Sequence, residues 1–226
     1  MKPIPPRPPE EDKHIYTEGI DYSQTDPVSI WGTGDPDTLE YLKTVKLSGT
    51  WLNLAAGDGR YSTTLLKKAD RVIAADIDES ALSKLVATTP KALQSKLTTA
   101  ILDHTKPFPY TDGTFDGVFC MGFLHMFPTD IFREMVAEMK RVLKPGGRIV
   151  LDFAAHLLRE LPDGTLYTRA SEPLYGIDEA IELLGKLFSD YQVQMIRSRI
   201  PPEEVHTRGL VYKFSCRYVI LQADKP

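Results

Sequence analysis

The stretch Trp51–Arg60, with the sequence WLNLAAGDGR, decides how the rest of the chain is interpreted. An apolar run at Trp51–Leu54 is followed by two closely spaced glycines, Gly57 and Gly59, and then by a segment with helical periodicity. Glycine reaches backbone angles that other residues avoid, and it lets main-chain N–H groups approach a ligand closely. The stretch therefore predicts a strand, a glycine turn and a helix, arranged as in a nucleotide-binding site.

A carboxylate spaced for ribose binding follows this turn. The apolar run Arg71–Ala75 ends in Asp76, which lies 17 residues after Gly59. An acid about 20 residues beyond a glycine turn can accept hydrogen bonds from the ribose hydroxyls of a nucleotide. The alternative is that Asp76 only caps the turn that follows, a role that the nearby Asp78 also fills.

Four segments, in the same order, resemble the class I S-adenosylmethionine-dependent methyltransferases, and the small-molecule methyltransferase domains of types 11 and 25 in particular. They are the glycine turn, the strand ending at Asp76, the segment Leu102–His104, and the segment Phe115–His125 followed by a helix and the run Leu143–Leu151 (LKPGGRIVL). The resemblance implies an enzyme with S-adenosylmethionine (SAM) as cofactor and S-adenosylhomocysteine (SAH) as product. It further implies methyl transfer to a small-molecule acceptor by in-line displacement.

The spacing of the apolar segments predicts an α/β fold. Asp35 and Pro36 begin a helix, and short apolar strands then alternate with amphipathic helices, a pattern typical of βαβ units and a parallel sheet. These strands are expected at Thr50–Leu54, Val72–Ala75, Thr98–Leu102, Gly117–Met121 and Ile149–Phe153. Two closing runs, Gln192–Ser198 and Leu210–Leu221, are joined by Pro201-Pro202 and form an antiparallel hairpin in the resembled family. We therefore expect a Rossmann-like seven-stranded mixed sheet, mostly parallel with one antiparallel strand, and helices on both faces.

Composition divides the chain into a tail and one domain. Residues 1–13 are rich in proline and acidic residues, which predicts a disordered tail. Residues 14–226 are expected to form a single methyltransferase domain, with residues 14–47 as an N-terminal cap and residues 155–190 as a substrate lid. Some aromatic residues of these two segments are expected to line the acceptor site. They are Tyr16, Tyr22, Trp31, Tyr167 and Tyr175.

The resemblance also assigns the cofactor site. The residues assigned to it are Asn53, Ala55, Ala56, Gly57, Asp58, Gly59, Asp76, Ile77, Leu102, Asp103, Met121 and Gly122. Asp103 would lie near the adenine, with Ile77 and Leu102 on the two faces of the ring, although Asp103 also fits ordinary turn chemistry.

Two positions depart from the family pattern. Asn53 stands where the family commonly has an acid, and Ala55 stands where it commonly has the first glycine. Asn53 can still accept a hydrogen bond, but it lacks the charge that would attract the ammonium group of the cofactor. A weak cofactor affinity is therefore predicted.

His125 is the catalytic candidate, because the position after the fourth strand faces the transferred methyl in the resembled family. Histidine can take up a proton near neutral pH. The neighbours of His125 are apolar, so a buried structural histidine is the alternative. Cys120 lacks the preceding proline of the family members that use a thiol nucleophile, and we interpret it as a packed strand thiol.

Composition restricts the partners. A formal net charge of −4 argues against nucleic acid as substrate, and the sequence lacks the Asn-Pro-Pro-aromatic motif of DNA amino-methyltransferases. Two cysteines and the absence of a long apolar run predict a reduced, cytoplasmic protein without a membrane span. The histidines lack the spacing of a metal site, so no metal is expected. The oligomeric state stays open.

Two other functional classes stay open. A nicotinamide dehydrogenase shares the glycine turn and the ribose acid, but it usually has a third glycine where Ser62 stands here. A catalytically silent methyltransferase-like module would explain Asn53 and Ala55, and the proline-rich tail would suit docking to a partner.

Overall fold

The computed structural model describes residues 30–168, 172–207 and 209–226, and its strands form one seven-stranded sheet in the order β3-β2-β1-β4-β5-β7-β6. The strands are β1 Thr50–Leu54, β2 Arg71–Asp76, β3 Leu97–Ile101, β4 Phe115–Cys120, β5 Leu143–Glu160, β6 Gln192–His206 and β7 Val211–Asp224. Strands β1 to β5 pair in parallel, whereas β7 is antiparallel to both of its neighbours, β5 and β6. The predicted fold class is confirmed.

Helices cover both faces of this sheet. They are α1 Ile30–Thr33, α2 Pro36–Thr44, α3 Ser62–Lys68, α4 Glu79–Thr88, α5 Lys91–Gln94, α6 Thr129–Val142 and α7 Ile177–Leu187, with a short 3₁₀ helix at Leu124–Met126. Strand β4 shows the two-sided burial, since Val118 packs into the core beneath α6 and α7, and Phe119 packs into the core beneath α2 and α3. Successive side chains of a strand point to opposite faces, so a strand covered on both sides is apolar throughout.

Aspartate caps fix the start of two helices, as the sequence predicts. Asp35 Oδ1 accepts a hydrogen bond from the Thr38 N–H at 2.9 Å, at the start of α2. Asp78 Oδ1 accepts from the Ser80 N–H at 2.8 Å, at the start of α4. Both caps satisfy amide groups that have no partner inside the helix.

The prediction that Pro201-Pro202 joins the last two strands is wrong. Strand β6 continues through both prolines, and the strand connection lies after His206. The register of the β6–β7 pair shifts between Ile200 and Glu203, which marks a bulge. Proline lacks the N–H that a ladder needs, but an edge strand with a bulge tolerates it, and β6 lies at the edge of the sheet.

The predicted cap and lid are only partly described. The tail, Tyr16 and Tyr22 lie outside the described residues. Within the predicted lid, residues 155–160 belong to β5, and α7 buries Ala180 and Leu184 completely. A lid role therefore stays a prediction only for the loop between β5 and α7. Within the described ranges, no helix is both long enough and apolar enough to cross a membrane.

Candidate functional site

The candidate site lies where the carboxyl ends of β1, β2 and β4 meet. Strand order reverses between β1 and β4, and open α/β sheets bind ligands outside such a reversal. A solvent-connected cavity of about 360 Å³ opens at this point. Its lining residues are Asn53, Ala55, Ala56, Gly57, Asp58, Arg60, Tyr61, Phe119 and Met121. We call it the turn cavity.

The turn between β1 and α3 has left-handed backbone at three positions. Gly57 has φ +54° and Gly59 has φ +97°, and Ala55, without the freedom of glycine, has φ +50°. A β-carbon at Gly59 would lie 2.8 Å from Leu85 Cγ, so this glycine lets α4 pack closely against the turn. A β-carbon at Gly57 would meet no atom within 4 Å, because its backbone faces open space. Gly57 therefore presents its main chain to whatever the cavity binds.

The carboxylate of Asp76 ties β2 to this turn. Asp76 Oδ2 accepts a hydrogen bond from the Gly57 N–H at 2.8 Å, and Oδ1 accepts from the Asp78 N–H at 3.0 Å. A carboxylate has about four lone-pair sites, so these two bonds leave capacity for further donors. Asp76 thus lies beside the glycine turn with room to accept from a ligand hydroxyl.

His104 holds the glycine turn through a hydrogen bond, a role that was not predicted from the sequence. The Ala55 N–H donates to His104 Nε2 at 3.2 Å, and the ring packs edge-on against Phe123. Burial lowers the pKa of His104 to about 4. The negative charge of Asp76 opposes this shift but does not outweigh it. The ring is therefore neutral near pH 7, as an accepting Nε2 requires. The Asp-His pair was visible in the sequence, but only the fold shows which atom its ring meets.

Asp103 keeps its charge through local hydrogen bonds. Burial acts to raise its pKa, but the Thr105 N–H, at 2.9 Å from Oδ1, and the Thr105 hydroxyl, at 2.7 Å, outweigh it and lower that pKa. The turn chemistry expected from the sequence is present. Nearby, Leu102 is buried, whereas Ile77 is 40% exposed at the end of β2.

A second cavity, of about 580 Å³ and also connected to solvent, adjoins the turn cavity and shares Arg60 and Tyr61 with it. Its other lining residues are Ile30, Asp35, Gly122, His125, Met126, Asp152, Ala154, Ile200, Phe214, Cys216 and Tyr218. We call it the outer cavity. Strands β5, β6 and β7 supply part of this lining, and Ala154 and Ile200 lie just beyond the strand ends predicted from the sequence.

A buried carboxylate, Asp35, holds one side of the outer cavity together. Its oxygens accept from the Thr38 N–H, from the Tyr61 hydroxyl at 2.9 Å and from the Tyr218 hydroxyl. Burial is the main cause that raises the pKa of both tyrosines well above its usual range, and the neighbouring Asp35 raises it further. Both phenols therefore stay protonated and donate to Asp35.

A second buried carboxylate, Asp152 of β5, also lines the outer cavity. Its Oδ1 accepts from the Gly122 N–H at 2.6 Å, and Gly122 itself has φ +68° just after β4. Burial raises the pKa of Asp152 to about 7, and Asp35 adds to the rise, while the Gly122 N–H and Arg60 oppose it. Near neutral pH this carboxyl therefore exchanges a proton readily.

Comparison with known proteins identifies the segment that carries the site. Residues 52–147 match the family model described as a methyltransferase domain. This segment is similar to methyltransferase domains. Among curated proteins, the demethylmenaquinone methyltransferase of Thermobifida fusca (strain YX) is 33% identical over 107 residues, which is 47% of this chain and 44% of that protein. The match thus spans less than half of that relative.

Solved structures share the fold of the methyltransferase domain. The PH0226 protein of Pyrococcus horikoshii OT3 superposes with a TM-score of 0.62 at 22% identity, over 89% of this chain and 94% of that one. The S-adenosylmethionine-dependent methyltransferase of Mesorhizobium loti gives 0.59 at 13% identity, over 87% and 100%. DhpI, solved as a complex with SAM and HEP, gives 0.60 at 21% identity, over 88% of both chains.

The methyltransferase domain brings most of the predicted cofactor residues to the turn cavity. Those that line it are Asn53, Ala55, Ala56, Gly57, Asp58 and Met121, and Asp76 is bonded to the same turn. Asn53 Nδ2 donates to the Ser62 hydroxyl at 3.3 Å, and Gly59 packs against Leu85. Gly122 lines the outer cavity instead. The contact that each residue makes with a cofactor stays a prediction.

His125 also lines the outer cavity. It lies in the 3₁₀ helix after β4, is 7% exposed, and packs edge-on against Phe153. A position at the cavity supports the catalytic interpretation, and the apolar packing supports the structural one. Cys120 is completely buried and burial raises its pKa, which fits a packed thiol.

The two described tyrosines of the predicted lid pack elsewhere. Tyr167 lies beside Tyr212, and the Tyr175 hydroxyl donates to the Phe127 carbonyl at 2.8 Å. The aromatic residues that line the outer cavity are Tyr61, Phe214 and Tyr218. In the part of the chain that the structure describes, no three His, Cys, Asp or Glu side chains are grouped as metal ligands.

Replacing Ala55 with glycine is expected to stabilise the domain by about 0.5–1 kcal/mol. The left-handed backbone at Ala55 costs an L-residue roughly 1–2 kcal/mol, and the larger backbone entropy of glycine in the unfolded chain returns about 0.5–1 kcal/mol. Urea unfolding measures the difference. Ala56→Gly is the matched control, because Ala56 is not among the residues with positive φ and its substitution should destabilise. An equal loss of stability in both variants would contradict this account of the turn.

Proposed function

We propose that this chain is a SAM-dependent methyltransferase that transfers the sulfonium methyl to a small-molecule acceptor by in-line displacement. The observation that carries the proposal is the pair of adjoining cavities, one at the glycine turn and one beyond the end of β4, which share Arg60 and Tyr61. The family match and a neighbour of the same fold solved with SAM support it.

The turn cavity and its rim would hold the cofactor. Asp76 would accept hydrogen bonds from the ribose hydroxyls, and Ile77 and Leu102 would flank the adenine near Asp103. Arg60 lies at the junction of the two cavities, where its guanidinium can meet the carboxylate of the methionine portion. Asn53 offers an amide where an acid is common in the family, so the predicted affinity stays weak.

The outer cavity would hold the acceptor. Ligand sites for small molecules combine apolar walls with a few polar groups. The outer cavity has this composition, since it is lined by the apolar residues Ile200, Phe214 and Cys216 together with polar side chains. When bound, SAM supplies a methyl on a good leaving group, so the chain mainly has to align the acceptor and exclude water.

The class of cofactor is tested by calorimetric titration with SAH, with NADH as the comparison ligand. SAH is expected to bind and NADH is not, because Ser62 replaces the third glycine of the dehydrogenase motif. SAH is the better first ligand, because it binds without the acceptor. A chain that binds neither ligand would be the catalytically silent module, and binding of NADH alone would make it a dehydrogenase.

The acceptor site is tested by filling the outer cavity. Cys216→Phe places a ring where Cys216 now lines the wall, and we expect it to reduce methyl transfer at least tenfold with SAH affinity unchanged, since loss of one productive geometry can cost about 100-fold. Cys216→Ser, which keeps the size of the side chain, is the control and should retain transfer. The measurement is release of labelled methyl product from SAM. Full activity in Cys216→Phe would place the acceptor elsewhere.

A further inference from the structure

We propose that Asp152 takes the proton from the atom that is methylated, and that the acceptor presents a neutral hydroxyl group on an apolar body. This inference rests on the proposed function, since it places the acceptor in the outer cavity and the sulfonium at its junction with the turn cavity. His125, the candidate from the sequence, is the rival for the same proton.

The position of Asp152 is suited to this role. It lies on β5 next to β4 in the sheet, and its Oδ1 accepts the N–H of Gly122, the second residue after β4 ends. A carboxylate can accept more than one hydrogen bond, so the Gly122 contact orients the group and leaves capacity for a hydroxyl donor. Gly122 carries no side chain, and a β-carbon there would meet no atom within 4 Å, so there is open space beside the residue that holds this carboxyl.

Asp35, the other carboxylate of the outer cavity, already accepts hydrogen bonds from several groups of the protein. It accepts from the Thr38 amide and from the Tyr61 and Tyr218 hydroxyls. Those bonds cap α2 and connect it to α3 and β7. Proton transfer to Asp35 would disturb all three, whereas Asp152 is held by backbone amides, those of Gly122 and of Asp152 itself.

The charges of the outer cavity favour a neutral acceptor. Apart from His125, the lining residues with formal charge are Asp35, Asp152 and Arg60. SAM adds a sulfonium, an ammonium and a carboxylate, so with Asp152 ionised three carboxylates balance three positive groups. An ammonium acceptor would add a fourth positive charge in a partly buried site, where unbalanced charge is costly. A hydroxyl adds none.

The remaining lining residues indicate that the part of the acceptor beyond its hydroxyl group is apolar. Much of the lining is apolar, and three elements contribute to it. Among its apolar residues are Ile30 of α1, Ile200 of β6, and Phe214 and Cys216 of β7. Burial of apolar surface against them would contribute about 25 cal/mol per Å². A phenol with an alkyl substituent combines such a body with a neutral hydroxyl.

The reaction balances without another reagent. The acceptor O–H bond breaks and its proton joins the Asp152 carboxylate. The oxygen lone pair forms a bond to the methyl carbon, and the electrons of the carbon–sulfur bond return to sulfur. The products are a methyl ether, neutral SAH and protonated Asp152, which releases its proton to water when the site opens.

The surroundings of Asp152 set the pH dependence. Several titratable or charged groups face Asp152 or share its cavity. They are Asp35 from the start of α2, Arg60 and Tyr61 from the turn, Cys120 from β4, His125 from the 3₁₀ helix and Tyr218 from β7. Because burial brings the pKa of Asp152 to about 7, its base form is lost as the pH falls through neutrality. We therefore expect kcat/KM to fall on the acid side of neutral pH.

The experiment uses a series of 4-alkylphenols and the matched 4-alkylbenzylamines with methyl-labelled SAM, after SAH binding has been measured. We expect O-methylation of the phenols and not of the benzylamines. Asp152→Asn keeps an oxygen for the Gly122 N–H, so SAH affinity should hold while kcat falls about 100-fold or more and the acid limb disappears. Asp163→Asn, an exposed carboxylate on the loop after β5, is the control and should behave as wild type.

Each unexpected result would contradict a different part of the proposal. A chain that does not bind SAH overturns the proposed function. A chain that binds SAH but methylates only the benzylamines, or none of the phenols, overturns the hydroxyl assignment. An Asp152→Asn enzyme with the wild-type pH profile, or loss of the acid limb in His125→Asn instead, overturns the role of Asp152. If Asp152→Asn does not fold, the wild-type profile decides, because a kcat/KM that is constant through neutrality excludes Asp152 as the base.

Discussion

Replacing Glu172 with glutamine is expected to lower the free energy of unfolding by about 3–5 kcal/mol, the usual loss when one partner of a buried ion pair is removed. Arg159 of β5 holds Glu172 of the following loop through two parallel bonds, from Nη1 to Oε2 and from Nη2 to Oε1, both 2.7 Å long. The side chains are 1% and 4% exposed. The amide keeps the shape of the carboxylate but removes the negative charge that both guanidinium bonds now meet.

Urea unfolding measures this loss, and two further variants isolate its cause. Asp163→Asn changes an exposed carboxylate of the same loop and should stay within about 0.5 kcal/mol of wild type. The double variant Arg159→Met with Glu172→Leu removes both charges and should recover most of the stability, because the desolvation penalty is removed along with the attraction. A double variant as unstable as Glu172→Gln would mean that packing, not charge, explains the loss.

The first four strands could be predicted from the sequence because each is short and bounded by turn residues, and because β1 and β4 are largely buried. Thr50–Leu54 was predicted with the bounds that the structure has, and the other three deviate only at their ends. The extended parts of β5 and β6 were not predictable in the same way. They are formed by pairing with β7, as where Glu160 pairs with Lys213, and such distant partners leave no local pattern.

The site was predictable where its residues follow a spacing rule. Gly57 and Asp76 are recognised by their separation in the sequence, and the structure joins them by a hydrogen bond. The outer cavity follows no such rule, since Asp35 meets Tyr218 across 183 residues. Asp152 was predicted as part of an apolar strand, and only the pairing of β5 with β4 shows that it reaches Gly122. The sequence therefore indicates the cofactor better than the acceptor.

Asp76→Ala is expected to weaken SAH binding about 100-fold, close to 2.7 kcal/mol, which is within the range of a hydrogen bond to a charged group. The expected loss has two sources. The variant removes the oxygens proposed to accept from the ribose, and it releases the Gly57 N–H that Oδ2 now holds at 2.8 Å. The glycine turn would then have to be ordered by the cofactor itself, at a further cost in binding free energy.

A matched variant separates the cofactor contact from the support of the fold. Asp78→Asn alters the neighbouring carboxylate, which caps α4 through the Ser80 N–H, and it should leave SAH affinity unchanged because asparagine also caps helices. Thermal unfolding without ligand shows whether Asp76→Ala is folded, and calorimetry then gives its dissociation constant for SAH. A folded Asp76→Ala protein with wild-type affinity would mean that Asp76 organises only the turn, and that the ribose is bound by other groups.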